Sequence, residues 1–125
     1  MKANDYQAAA TRTEAPAENA LARITYEVMR LDHAAKGLCT EVGEFTDVLK
    51  RHLFYGAPLD RLRLKEEVGD ILWYAASACE ALGIRMEDVM TTNVAKLKAR
   101  YPSKFTEQGA LTRNLQMEDK ALKDH

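Results

Sequence analysis

The sequence has few cysteines that could form disulfide bonds, and it has no segment suited to crossing a membrane. Its 125 residues include two cysteines, Cys39 and Cys79, which lack the spacing of a metal motif and fall within helical patterns. We therefore expect reduced thiols, as in a cytoplasmic protein. No apolar run approaches the roughly 20 residues of a membrane helix, and the first ten residues lack the apolar core of a signal peptide. The sequence predicts a cytoplasmic protein that makes no membrane contact.

The chain also lacks a strong charge of either sign. Its formal net charge is -1, so no overall basic field favours nucleic acid as a partner. Hydrophobic residues make up 46% and charged residues 30%, which is typical of a globular domain. A helical chain of this length buries only a modest core alone. We therefore expect a homo-oligomer, either a homodimer or a homotetramer.

Strand-like alternation is missing as well, whereas apolar residues recur at helical spacing along most of the chain. The sequence predicts an all-α protein, a helical bundle of about four to five helices within residues 1–102. The polar stretch 103–125 is predicted to be a C-terminal tail, an irregular segment with a weak helix that packs on the bundle or on a partner subunit. The expected helices are a short one ending near Thr11, a second capped by Thr13 and carrying Leu21 to Leu31, a third over 35–55, a fourth from Asp60 to Gly83, and a fifth over 86–101.

Two similar acidic tetrapeptides stand on the third and fourth predicted helices. On a helical wheel, the first acid of each lies near the edge of the apolar stripe and the second lies one step further round. The connection between these helices is short, which favours antiparallel pairing and would bring the two acidic edges together. The tetrapeptides are Glu41-Val42-Gly43-Glu44 and Glu67-Val68-Gly69-Asp70.

Four carboxylates in one groove repel one another unless a cation neutralises them. Oxygen ligands on rigid helices suit a hard divalent ion, Mg²⁺ with Mn²⁺ as an alternative, and Mg²⁺ commonly also binds phosphate oxygens. A single pair of acids on a helix is usually a solvated surface, but two matched copies argue against that interpretation. Gly43 and Gly69 each cost about 1 kcal/mol relative to alanine within a helix. They indicate close approach of the opposing helix or of a ligand.

A row of polar and cationic residues follows one side of the fifth predicted helix. Asn93, Lys96 and Arg100 stand three and four residues apart, so together they could grip a phosphate chain. The alternative is that cations near a helix C-terminus only complement the helix dipole. Arg63 and Glu66 lie off the acidic edge. They are interpreted either as surface residues or as residues on the substrate side that support the direct contacts.

The four acids, with 22 residues between the two pairs, resemble the E-x-x-E…E-x-x-D signature of the MazG-like all-α NTP pyrophosphatases. The resemblance covers most of the chain and implies that the acids bind Mg²⁺. It also implies that Lys96 and Arg100 contact the triphosphate and that Asn93 lies near the nucleotide. Further similar segments are Asp5-Tyr6-Gln7, Arg12-Thr13, Gly37-Leu38, Leu72-Trp73-Tyr74, Asn93 to Leu97, and Arg100 to Asn114.

The activity implied by this resemblance is hydrolysis of a (deoxy)nucleoside triphosphate to a monophosphate and pyrophosphate, a housekeeping reaction of the nucleotide pool. Glu44 is our hypothesis for the general base. Two alternatives remain open at this point. One is a hydrolase of another nucleotide phosphate, such as a phosphoribosyl-ATP-type substrate, and the other is a non-catalytic acidic helical binding module. Trp73, opposite the apolar stripe, is a candidate interface residue.

Overall fold

A computed structural model describes residues 2–123, and every regular element in that range is an α-helix. The predicted all-α class is confirmed: residues 2–102 contain five helices, as expected, and two more lie in the C-terminal tail. The helices are α1 (Ala3–Thr11), α2 (Ala17–Leu21), α3 (Tyr26–Tyr55), α4 (Arg61–Leu82), α5 (Met86–Arg100), α6 (Glu107–Leu111) and α7 (Leu115–Lys123).

The longest helix, α3, corrects two predicted boundaries. A second helix capped by Thr13 and running through Leu31, and a third from Ala35, were expected. Instead α2 follows Pro16 and ends at Leu21, and one continuous helix from Tyr26 to Tyr55 covers the end of the second segment and all of the third. It begins at Thr25, whose hydroxyl accepts the Val28 N–H at 3.1 Å and so satisfies one of the free donors of the first turn. No glycine or proline interrupts the chain between 31 and 35. The helix therefore continues without a break.

A five-residue connection joins α3 to α4 and determines their antiparallel pairing. Gly56 ends α3 with φ of 71°, a left-handed conformation that glycine adopts without steric cost. Asp60 then caps α4 by accepting the Arg63 N–H at 2.9 Å. The predicted ends of both helices at this turn are confirmed, as is the end of α4 at Gly83. This helical hairpin carries both acidic tetrapeptides.

The closest approach within the hairpin is at Gly37, which is buried against the ring of Tyr74. A Cβ on Gly37 would lie 2.1 Å from Cε1 of Tyr74, so only glycine fits there without a shift. At Gly43 and Gly69 an added Cβ meets nothing within 4 Å. Of the two expected causes, approach of the opposing helix was therefore wrong, because the helices meet at Gly37 one to two turns away, and approach of a ligand stays a prediction.

Gly37→Ala is expected to lower the melting temperature, because overfilling a packed contact costs about 1–3 kcal/mol. Gly43→Ala is the matched control, because it adds the same methyl group to the same helix where the space is open. The control should gain stability from the helix propensity of alanine, about 1 kcal/mol. Thermal unfolding of the two metal-free variants makes the comparison, and equal melting temperatures would contradict the contact with Tyr74.

The remaining packing joins α5 to α7, so the segment after Pro102 lies against the last long helix. The core is small: within residues 2–123, Ala34 is the one fully buried apolar side chain. The accessible surface is 10349 Å², and many large apolar side chains remain exposed on α3, α4 and α5. None of the helices in the described range is both long and apolar enough to span a bilayer.

Candidate metal centre

Three of the four predicted acids meet across the hairpin. Glu41 projects from α3, while Glu67 and Asp70 stand one turn apart on α4. Carboxylate oxygens of these three residues all lie within 4.8 Å of one another. This convergence follows from the antiparallel pairing, which brings matching wheel positions of the two helices to one side.

Glu44, the fourth predicted acid, lies beside this group rather than within it. It stands on α3 next to Glu67, and both line the same open groove. Its negative charge also contributes to the electrostatic environment of Glu67. Glu44 is therefore a neighbour of the three converging carboxylates, with its own side chain exposed toward the groove.

Glu67 is the most constrained of these acids, with only 2% of its surface exposed. Burial, and then the nearby charges of Glu44 and Glu41, raise the pKa of the Glu67 carboxyl above its ordinary value. The charge of Arg63 opposes this rise. A carboxyl held among like charges is stabilised by a cation or by a proton, so the electrostatics favour cation binding at this point.

The groove beside the acids has a volume of about 700 Å³ and opens at the turn between α3 and α4. Two guanidinium groups from opposite helices, Arg51 and Arg63, line it together with Glu44 and Glu67. Sequence reasoning weighed Arg63 but missed Arg51, although Arg51 stands seven residues after Glu44 on α3, a spacing that places both on one face of the helix. Arg63 also donates from Nη1 to the exposed Glu66 carboxylate at 2.6 Å.

The cationic row lies on α5, away from this groove. The lining of the groove comes from α3, α4 and the connecting loop, and α5 contributes nothing to it. Asn93 is exposed and Lys96 is half-buried. Arg100 donates from Nε and Nη2 to the two carboxylate oxygens of Glu118, at 2.9 and 2.6 Å. Within one chain, the row and the acidic groove are thus separate features.

Glu118 is a buried acid that sequence reasoning did not identify. It lies on α7 with 2% of its surface exposed, and it also accepts from Arg113 Nη2 at 2.7 Å. Hydrogen bonds from Arg100 and then Arg113 lower the pKa of the Glu118 carboxyl to about 2. The tail has a polar pattern with sparse apolar positions, so nothing in it distinguishes a buried acid from a solvated one.

The fold and the site together define an all-α protein with a carboxylate cluster suited to a hard divalent cation. A family model for the MazG nucleotide pyrophosphohydrolase domain matches residues 30–105, more than half of the chain. The chain therefore belongs to this family, and the resemblance stated from its motifs is confirmed. Comparisons with curated proteins and with solved structures found no significant match. The matched segment includes both acidic tetrapeptides and the cationic row.

Proposed function

We propose that this chain hydrolyses (deoxy)nucleoside triphosphates to the monophosphate and pyrophosphate in a Mg²⁺-dependent reaction. The observation that carries the proposal is the convergence of Glu41, Glu67 and Asp70 across the hairpin of a MazG-family chain. Removal of such triphosphates from the nucleotide pool is the role we assign to the reaction.

Glu41, Glu67 and Asp70, with Glu44 beside them, are the proposed ligands of Mg²⁺, and Mn²⁺ is the expected substitute. The donor set fits, because it consists of carboxylate oxygens alone, and because burial and then the charges of Glu44 and Glu41 raise the pKa of Glu67, so that its ionised form would gain from a cation. When bound, the ion supplies neutralisation of phosphate charge and activation of a water molecule.

The chain's own residues have separate proposed roles in this reaction. Glu44 is the proposed general base, because its exposed carboxylate borders the groove beside the three converging acids. Lys96 and Arg100 would contact the phosphates and stabilise the leaving pyrophosphate, with Asn93 near the nucleotide. The acids lie on α3 and α4, whereas the proposed phosphate-binding residues lie on α5. The substrate must therefore bridge α5 and the acidic hairpin.

We infer a homodimer or homotetramer from the surface of the single chain. A folded monomer of 14.1 kDa is expected to expose about 6,700 Å², whereas this chain exposes 10349 Å². Covering this excess, roughly 3,600 Å² on each chain, would bury about 7,200 Å² in a dimer, which lies at or above the upper end of obligate interfaces. A second copy could bring its α5 to the acidic groove, which lacks a contribution from α5 of the same chain.

Light scattering at micromolar concentration tests this assembly. The expected mass is a multiple of the 14.1 kDa chain, because the exposed apolar side chains of α3, α4 and α5 need a partner surface. Trp73, 58% exposed on α4, is the candidate interface residue. A monomeric mass would contradict the inference.

Product separation after incubation with a panel of nucleotides tests the function itself. Monophosphate and pyrophosphate in equal amounts from a nucleoside triphosphate would support the proposal. Cleavage of a phosphoribosyl-ATP-type substrate alone would support the alternative hydrolase. Mg²⁺ binding without cleavage of any nucleotide would identify an acidic helical binding module.

A further inference from the structure

One buried acid outside the metal centre is connected to the cationic row. Glu118 on α7 pairs through both carboxylate oxygens with Arg100, the last residue of α5. Paired hydrogen bonds between a carboxylate and a guanidinium are stronger and more directional than single ones. Arg113 donates to the same carboxylate from within the tail, so Glu118 is itself held in position.

This pairing restrains Arg100 without using all of its donors. A guanidinium carries five N–H groups, and the contact with Glu118 occupies the edge formed by Nε and Nη2. Glu118 leaves the N–H groups of Nη1 and the second N–H of Nη2 unused, and the Tyr101 ring lies beside the same guanidinium, with its centroid 5.9 Å from the Arg100 Cζ. Lys96 stands one helical turn earlier, so the two cations start from the same face of α5. The Arg100 side chain keeps 19% of its surface exposed.

We propose that Glu118 is a positioning residue for substrate binding, which fixes the Arg100 guanidinium so that its second edge meets the phosphate chain beside Lys96. This rests on the proposed function, in which Arg100 contacts the triphosphate. A flexible arginine side chain loses rotamer freedom when it binds a ligand, and this loss weakens binding. Because Glu118 already holds the Arg100 guanidinium, that entropic cost of binding is smaller. Glu118 thereby gives the tail a part in substrate affinity.

Affinity for Mg²⁺–tripolyphosphate, measured by calorimetry, tests this role independently of the base and of turnover. Glu118→Gln removes the charge that holds Arg100 and is expected to weaken binding about tenfold, with Mg²⁺ affinity unchanged. Asp119→Asn makes the same charge change at the adjacent exposed residue and should bind as the parent does. Parental affinity in Glu118→Gln would overturn the positioning role.

A double-mutant cycle tests whether Glu118 affects substrate binding through Arg100. If Glu118 acts through Arg100, then Glu118→Gln should change affinity in the parent but not in an Arg100→Ala background. A further loss in that background would mean that the tail supports binding by another route, and it would overturn the proposal. Should Glu118→Gln fail to fold, Glu118→Asp keeps the charge but withdraws it by one methylene. We then expect a loss of about threefold or more, and parental affinity would count against the role.

Pyrophosphate release by the parent chain is measured in parallel. If the parent releases none, the proposed function fails, while the role of Glu118 is still judged on tripolyphosphate affinity. If the parent hydrolyses triphosphate and Glu118→Gln binds tripolyphosphate like the parent, the positioning role alone fails. A parent that binds no tripolyphosphate overturns the positioning role too.

Discussion

Glu67→Gln is expected to abolish pyrophosphate release and, without metal, to raise the melting temperature of the chain. Glu67 is buried, and its ionised form is destabilised by that burial and by Glu44 and Glu41. A neutral side chain of the same shape removes this repulsion but also removes a central oxygen ligand. Loss of residues that only support metal ligands commonly costs 10–100-fold, so we expect a fall of at least about a hundredfold in kcat/KM.

Glu80→Gln is the matched control for this variant, because Glu80 is exposed and lies further along the same helix. The control should keep parental turnover and parental stabilisation by Mg²⁺. Kinetics and thermal unfolding, each with and without Mg²⁺, make the comparison. Turnover near the parental value in Glu67→Gln would mean that Glu67 is not a required ligand of the metal.

Lys96→Ala is expected to lower kcat/KM with triphosphate roughly tenfold to a hundredfold while Mg²⁺ affinity stays unchanged. The reason is the loss of one charge-assisted contact to the phosphates. Lys96 gives a cleaner test than Arg100, because removing Arg100 also leaves the buried Glu118 with Arg113 alone. Any change in an Arg100 variant would therefore combine substrate binding with the docking of α7.

Lys98→Ala controls for the general loss of a positive charge on α5. Lys98 is exposed, and it stands two residues after Lys96, on a different side of the helix. Steady-state kinetics of the two variants, together with Mg²⁺ titrations, decide between the interpretations. Equal kcat/KM values for Lys96→Ala and Lys98→Ala would support the alternative interpretation, in which Lys96 only complements the helix dipole.

The hairpin and the meeting of the acids could be predicted because both depend on local features. Helical periodicity gives Glu41 and Glu67 matching wheel positions, with Asp70 one turn after Glu67, and the short turn after Gly56 leaves antiparallel pairing as the simple arrangement. The position of Glu44 beside this group was not predicted. The resemblance of the acidic motifs to the MazG-like signature indicated the family, which the family comparison confirmed.

Features that depend on tertiary contacts could not be predicted in this way. The sequence offers several helical glycines, but only the crossing of α3 and α4 selects Gly37 as the one that touches Tyr74. The burial of Glu118 likewise depends on how α7 docks on α5, and a polar tail pattern does not encode it. Arg51 is different, because it stands two helical turns after Glu44 on the same face of α3, so helical spacing could have indicated it.

Pyrophosphate release measured against Mg²⁺ concentration, with excess chelator as the zero point, tests the central claim most directly. The carboxylate cluster is proposed to act through a divalent cation, so release from a nucleoside triphosphate should be absent in chelator and should rise to saturation as Mg²⁺ is restored. Mn²⁺ should also restore it. Full turnover in excess chelator would contradict the account, because the converging acids would then have no role in the reaction.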